Sequence, residues 1–161
     1  LVAKSVMALC ATETLAPEAP SIRRPANNTH SAPAAQVMKH GLLYEADLLT
    51  HKIPEAQDLV QVLRQAQSAE FYHELGKMIA EFHQQGVFHA DLNIQNILQD
   101  KNGKFWLIDF DRAQILTPQI KWQQATLNRL KRSFEKERGR FDIKWSKQDW
   151  TNFMVGYRLY K

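Results

Sequence analysis

The sequence contains a single cysteine, Cys10, so no disulfide bond can form within the chain and nothing in it requires an oxidising compartment. It has no apolar run long enough to cross a bilayer as a helix. Glycine and proline are scarce, with six of each among 161 residues, while charged residues make up 24%. This composition excludes a chain that is disordered along most of its length.

The first eleven residues do not have the pattern of a secretory signal. They are partly apolar, but Lys4 interrupts them and no charged segment precedes them. We therefore expect a cytoplasmic protein. The formal net charge of +4 favours partners that carry negative charge, such as nucleic acid, an anionic membrane surface or a phosphorylated substrate.

Two regions differ in composition. Residues 1–36 are rich in alanine and proline and predict an irregular segment. Residues 37–161 have the apolar periodicity of one globular unit. Within that unit, residues 41–46 predict a buried strand, and Asp58 can cap a short helix.

The strongest helix prediction runs from Ser68, a suitable N-cap, to Gly86, which can end a helix in a left-handed conformation. Beyond Pro118 the chain predicts a long helix and then a last helical segment over residues 145–160. Apolar residues recur at helical spacing in the first of these helices: Phe71, Leu75, Met78, Ile79 and Phe82.

Asn102-Gly103 lies between two apolar runs and predicts a β-hairpin, because both residues tolerate positive φ. Antiparallel pairing would bring together Asn96, before the first strand, and Asp109, at the end of the second. Phosphoryl transfer from ATP needs carboxylate and amide oxygens for magnesium, and a further carboxylate that accepts the hydroxyl proton. Asp91 lies in the same loop as Asn96. The alternative interpretation is that these polar residues only form turns.

The pattern His89-Ala90-Asp91 with Asn96, followed by Asp109-Phe110-Asp111, resembles the catalytic and metal-binding loops of the protein-kinase-like superfamily. The resemblance implies that Asp91 is the catalytic base and that Asn96 and Asp109 hold Mg²⁺ for ATP. His89 is expected to brace the loop through backbone hydrogen bonds.

Two positions depart from the protein-kinase pattern. Ala90 stands where many protein kinases carry arginine, so an activation-loop phosphate would have no partner there. Asp111 stands in place of glycine, and it either adds charge near the metal or caps the next turn. Both features resemble small-molecule and sugar kinases related to the aminoglycoside phosphotransferases.

Four segments are similar to the 3-deoxy-D-manno-octulosonic acid (Kdo) kinase family of lipopolysaccharide synthesis: residues 44–50, 89–98, 106–111 and 127–137. The resemblance implies an α+β fold, a protein-kinase-like C-terminal lobe that is mainly helical with a short catalytic β-hairpin. It implies ATP-dependent phosphorylation of a Kdo hydroxyl on a lipid A precursor, by a peripheral protein at the cytoplasmic face of the inner membrane, with no nucleic-acid partner. Backbone groups of a hinge would meet adenine at Glu45, Ala46, Asp47 and Leu48.

The basic segment after residue 126 suits such a substrate, because lipid A precursors carry phosphates and Kdo carries a carboxylate. We expect Arg129, Lys131 and Arg132 to bind these anions. The apolar residues among them, Leu127, Leu130 and Phe134, predict either a helix face on an anionic bilayer or a face in the protein core.

Residues 1–36 contain no glycine, so they hold no glycine-rich phosphate-covering loop, and no strand lysine of an N-terminal lobe is found. We expect weak ATP binding and little turnover from this chain by itself. The alternatives are another kinase of the same group acting on heptose or an aminoglycoside-like sugar, and a non-catalytic kinase-like lobe that binds a partner.

Overall fold

The computed structural model describes the backbone of residues 34–40 and 43–49, and both backbone and side chains of residues 53–110 and 112–161. The predicted strand is present and continues to Leu49, although Gly41 and Leu42 lie outside the described residues. The strands are β1 (Ala34–His40), β2 (Leu43–Leu49), β3 (Gln57–Asp58), β4 (Val87–Phe88), β5 (Ile97–Gln99), β6 (Phe105–Leu107) and β7 (Gln114–Ile115). The helices are α1 (Leu59–Val62), α2 (Ala69–Gln84), α3 (Ile120–Phe141) and α4 (Lys147–Leu159), with a 3-10 helix over Ile94–Asn96.

Every strand pairing among the described residues is antiparallel. Strands β1 and β2 form a hairpin, β5 lies between β3 and β6, and β4 pairs with β7. Strand β1 begins at Ala34 and so runs across the boundary predicted after residue 36. The division of the chain into two regions stays a prediction. The stretch Ala34–His40 contains the β-branched Val37 and has no glycine or proline, which is compatible with a strand.

The predicted helix boundaries are confirmed, and local hydrogen bonds explain them. The Asp58 carboxylate accepts the N–H of Gln61 at 2.9 Å at the start of α1. Ser68 Oγ accepts the N–H of Phe71 at 3.2 Å at the start of α2. Gly86 follows α2 with φ of 76°, the left-handed conformation expected of a residue that ends a helix.

The core forms where α2, α3 and α4 bury their apolar faces. Helix α2 packs along α4, and glycines at the contact let the two backbones approach closely. Leu127, Leu130 and Phe134 of α3 are at most 2% exposed. The interpretation that these three side chains lie on a bilayer is therefore wrong. The sequence pattern allowed both outcomes, because an amphipathic helix can turn its apolar face to a membrane or to the protein core.

A buried polar network joins the three helices around His83. The Tyr157 hydroxyl donates to Nδ1 at 2.8 Å, and Nε2 donates to Thr126 Oγ1 at 3.1 Å. The Thr126 hydroxyl in turn donates to the carbonyl of Gln123 at 2.8 Å. Both ring nitrogens of His83 thus have hydrogen-bond partners when the imidazole is neutral. Burial, together with the charge of Lys161, lowers the pKa of His83 from 6.5 to about 4.

This histidine predicts a loss of stability in mild acid. Between pH 6.5 and 4 the unfolded chain binds a proton at His83 that the folded chain does not, so the free energy of unfolding falls as the pH falls. The expected loss is about 3 kcal/mol. Urea unfolding at pH 7, 5.5 and 4 measures it. His83→Gln should be less stable at pH 7 but lose less on acidification. Equal pH dependence in the two proteins would contradict the assignment.

Candidate active site

The loop between β4 and β5 is folded around the backbone carbonyl of Asp91. The side-chain amides of Asn93 and Asn96 both donate to this oxygen, at 2.9 and 3.0 Å. Asn93 Oδ1 also accepts the N–H groups of Gln95 and Asn96, at 2.9 and 3.2 Å, and caps the 3-10 helix. The two amides bond to the backbone of Asp91 and not to its carboxylate. The Asp91 side chain is 55% exposed.

The hairpin places Asn96 beside the residue that precedes Asp109. Ile97 pairs with Leu107, and one step further the N–H of Ile108 donates to the carbonyl of Asn96 at 2.9 Å. Asp109 then leaves the strand direction with φ of 67°, a left-handed conformation that aspartate tolerates better than most residues. The predicted proximity of Asn96 and Asp109 is thus present along the backbone. The second strand ends at Leu107 and not at Asp109 as predicted.

His89 holds the two loops together, which confirms its predicted structural role. Its Nε2 donates to the carbonyl of Ile108 at 2.9 Å, and its own carbonyl accepts the N–H of Leu92. The ring is 2% exposed and stands edge-on to Phe110, with centroids 5.1 Å apart. Phe110 also lies against Phe82 of α2. Both backbone groups of Ile108 are therefore hydrogen-bonded, its N–H to Asn96 and its carbonyl to His89. These two bonds fix the backbone directly before Asp109.

Asp100 closes the hairpin turn. Its Oδ1 accepts the N–H groups of Asn102 and Lys104, and its Oδ2 accepts the indole N–H of Trp106 at 3.0 Å. Burial acts to raise the pKa of Asp100, but these hydrogen bonds outweigh it and lower the pKa below its usual value. The predicted hairpin is confirmed, but only Gly103 takes positive φ, at 80°. Three residues, and not two, lie between the hydrogen-bonded Asp100 and Lys104. In a three-residue hairpin loop the glycine alone takes positive φ, so Asn102 does not need it.

The donor set at Asn96 and Asp109 suits magnesium. One amide oxygen and one carboxylate are hard ligands, and Mg²⁺ in nucleotide sites takes few protein ligands because water and phosphates supply the others. Within residues 53–110 and 112–161 no three acidic, histidine or cysteine side chains cluster as a complete metal cage. The two roles predicted for Asp111, extra charge or a turn cap, fall on a residue outside the described ones.

A cleft of about 390 Å³ opens between the Asp91 loop and one face of α3. Arg129 Nη1 lies 3.1 Å from Asp91 Oδ1, an ion pair that the separation of 38 residues conceals in the sequence. Ser133 Oγ accepts the N–H of Ile94 at 3.2 Å and fixes the helix to the loop. The cleft is lined by Asp91, Asn93, Ile94, Gln95, Arg129, Arg132, Ser133, Lys136 and Glu137.

The structure thus brings Arg129 and Arg132 to Asp91 but does not bring Lys131. Lys131 is half-buried on another side of the helix and does not line the cleft. Sequence reasoning missed the contribution of Ser133, which stands one helical turn after Arg129 and so shares its face. It also missed Asn93, whose position two residues before Gln95 is typical of an Asx turn.

Glu137 is a buried carboxylate at the far end of the same cleft. Its side chain is 4% exposed, and Oε1 lies 3.4 Å from Arg140 Nη1 and 3.8 Å from Lys136 Nζ. Glu137 is therefore not part of a solvated charged face, although basic residues surround it in the sequence. A buried carboxylate needs nearby cations, so Glu137 holds basic side chains near the cleft.

The predicted adenine-binding residues, Glu45 to Leu48, lie in the middle of β2. They pair with Met38, Val37, Gln36 and Ala35 of β1 in that order. The other edge of β2 has no strand partner among the described residues, so outward backbone groups there are not used in a sheet. Their contact with adenine stays a prediction.

Comparison with known proteins identifies the family. Residues 24–157 match the sequence profile described as "Lipopolysaccharide kinase (Kdo/WaaP) family". The match covers most of the chain, including the Asp91 loop, the hairpin and the basic helix. This chain belongs to the Kdo/WaaP lipopolysaccharide kinase family. The resemblance found in the sequence is thereby confirmed.

Curated Kdo/WaaP relatives carry the name 3-deoxy-D-manno-octulosonic acid kinase. The chain is 50% identical to the Vibrio cholerae protein over 114 residues, which cover 70% of this chain and 48% of that protein. It is 47% identical to a Vibrio vulnificus protein over 127 residues, or 77% of this chain and 52% of that protein. It is 41% identical to a Haemophilus influenzae protein over 130 residues, or 77% and 54%. The chain spans about half the length of the curated relatives it matches.

A solved structure of "WaaP in complex with acyl carrier protein" shares the fold. The TM-score is 0.54 at 18% sequence identity, over 81% of this chain and 60% of that one. This likeness, with the mixture of helices and short strands, supports the α+β, kinase-like fold predicted from the sequence. No helix in the described part of the chain has both the length and the apolar character needed to span a membrane.

Proposed function

We propose that the chain carries the catalytic and metal loops of an ATP- and magnesium-dependent kinase that phosphorylates a Kdo hydroxyl on a lipid A precursor. The observation that carries this proposal is the backbone bond from Ile108 to Asn96, beside a loop in which Asn96 also contacts Asp91. Through these two hydrogen bonds Asn96 is linked to Asp91 and to the residue before Asp109. The three side chains that phosphoryl transfer would need thus come from neighbouring backbone positions. The shared name of the curated relatives supports Kdo as the acceptor.

In this proposal Asp91 is the catalytic base. Its half-exposed carboxylate lines the cleft, where an acceptor hydroxyl can reach it, and accepts the proton as the oxygen attacks the γ-phosphorus. Asn96 and Asp109 would hold Mg²⁺, which neutralises charge on the phosphate oxygens when bound. The amide of Asn96 donates to Asp91, which leaves its oxygen as the metal ligand.

Arg129 and Arg132, with Lys136, provide positive charge for the acceptor. They share one face of α3 and line the cleft that contains Asp91. A sugar carboxylate or a lipid phosphate bound there would hold a neighbouring hydroxyl near the base, and the arginine forks suit either anion. The proposed contact of Lys131 with the acceptor would have to lie outside this cleft.

The lobe assignment and the location belong to the same proposal. The described helices and the β5–β6 hairpin would be the C-terminal lobe, and Glu45 to Leu48 the hinge for adenine. The acceptor is attached to a lipid, so the enzyme would work as a peripheral protein at the cytoplasmic face of the inner membrane. Charge on α3, and not its buried apolar face, would then attract the anionic surface.

An acceptor panel tests the function. A purified protein containing this chain is given γ-labelled ATP, Mg²⁺ and one acceptor: a Kdo-bearing lipid A precursor, the same lipid without Kdo, a heptose-bearing lipid, or an aminoglycoside. We expect label only in the Kdo-bearing lipid. Label in the heptose lipid or the aminoglycoside alone would favour the other sugar kinases of this group. Nucleotide binding without label in any acceptor would favour a non-catalytic lobe.

A further inference from the structure

An ion pair with Arg129 engages the carboxylate of Asp91, the proposed base. One guanidinium nitrogen lies 3.1 Å from Asp91 Oδ1, and the side chains are 49% and 55% exposed. Ion pairs exposed to this degree add little to the stability of the fold and exchange readily. The contact is therefore strong enough to position a side chain but weak enough for another anion to replace it.

The surrounding cleft favours such an exchange. Arg132 has no acidic partner within hydrogen-bonding or ion-pair distance among the described residues, and Lys136 shares Glu137 with Arg140. Three cations thus line a cleft in which the acidic residues are Asp91 and Glu137. Since Glu137 is buried, an anion entering the cleft would compete directly with Asp91 for Arg129.

The backbone allows this movement without a change of fold. Ser133 bonds α3 to the loop through the N–H of Ile94, a contact that does not depend on the Arg129–Asp91 pair. The Arg129 side chain is long and half-exposed, and its guanidinium can swing along the helix towards Arg132, one turn away. Only the side chain has to move for Asp91 Oδ1 to become free.

We infer that Arg129 is an acceptor-sensing residue, which pairs with Asp91 in the free protein and transfers to the acceptor's carboxylate when the sugar binds. The inference rests on the proposed function. Binding of the anion would then release the carboxylate oxygen that accepts the hydroxyl proton, so the base is free only when an acceptor is present. Arg129 would also select acidic sugars over neutral ones.

Comparison of two acceptors tests the inference: the Kdo-bearing lipid, and the same lipid with the Kdo carboxylate reduced to an alcohol. The wild-type protein should prefer the acid roughly 10- to 100-fold in kcat/KM, which corresponds to one charge-assisted contact. In Arg129→Gln this preference should disappear, chiefly through a higher acceptor KM, and ATP hydrolysis without acceptor should rise. Arg129→Lys should restore part of the preference, and Lys121→Gln, the same charge change elsewhere on α3, should keep it.

A merely structural role for Arg129 would lower activity on both acceptors equally, and an unchanged preference in Arg129→Gln would overturn the inference. Calorimetry with free Kdo and with inorganic phosphate separates this inference from the proposed function, because it needs no transfer. Kdo should bind to wild type and lose roughly tenfold or more in affinity in Arg129→Gln. Binding of inorganic phosphate but not Kdo would overturn the carboxylate assignment and indicate a lipid phosphate instead.

Discussion

Asp91→Ala is expected to reduce phosphate transfer to the Kdo-bearing lipid by roughly 10²- to 10⁴-fold, the usual contribution of a positioned general base. The loss should appear in kcat, because the carboxylate acts on the proton that moves in the transition state. Asp91→Asn should be equally impaired, since an amide keeps the shape but cannot accept the proton. Initial rates with γ-labelled ATP at saturating acceptor measure both.

The fold should survive this substitution. Asn93 and Asn96 bond to the Asp91 backbone carbonyl, which alanine retains. Among the described residues, the Asp91 side chain bonds only to Arg129, in an exposed ion pair. Thermal unfolding should therefore shift little. Asp142→Asn is the matched control, because Asp142 is an exposed aspartate beyond the end of α3 and asparagine tolerates its left-handed backbone. Near-normal activity in Asp91→Ala with an intact fold would contradict the role of Asp91 as base.

Gly156→Ala and Gly76→Ala are expected to destabilise the fold by about 3 kcal/mol or more. A Cβ at Gly156 would lie 2.1 Å from the carbonyl oxygen of His73, and one at Gly76 2.1 Å from that of Phe153. Backbone atoms on packed helices cannot step aside individually, so α2 and α4 would have to separate and leave voids in the core. The midpoint of urea unfolding measures the loss.

Gly139→Ala provides the control for these two substitutions. Gly139 lies in α3, and a Cβ there would meet no atom of the described residues within 4 Å. Alanine should therefore stabilise the protein by about 0.5–1 kcal/mol through helix propensity alone. If all three alanine variants changed stability by the same amount and in the same direction, the close approach of α2 and α4 would be refuted.

The sequence predicted features that depend on near neighbours. Asp58, Ser68 and Gly86 mark helix ends because each acts on the backbone within a few residues of itself. The hairpin around Gly103 likewise determines the register that brings Asn96 beside Ile108. The family resemblance was visible because its motifs are short, and the residues of each motif lie close together in the chain and in the site.

Contacts between distant segments could not be predicted in this way. The apolar spacing of α3 is compatible with a membrane or a core, because amphipathicity does not identify what covers the apolar face. The Arg129–Asp91 pair depends on how α3 packs against the loop, which no local pattern encodes. The same holds for Gly156 against His73, and for the network in which His83 connects Tyr157 and Thr126.

The most direct test of the proposed chemistry is to locate the transferred phosphate. The Kdo-bearing lipid is incubated with ATP, Mg²⁺ and the purified protein that contains this chain, and the product is fragmented in a mass spectrometer. Within the initial linear phase of the reaction we expect one added phosphate on the Kdo fragment, only a trace of it with Asp91→Ala, and none with chelated metal. A phosphate found on the lipid A fragment, or an equal yield with Asp91→Ala, would contradict the proposal.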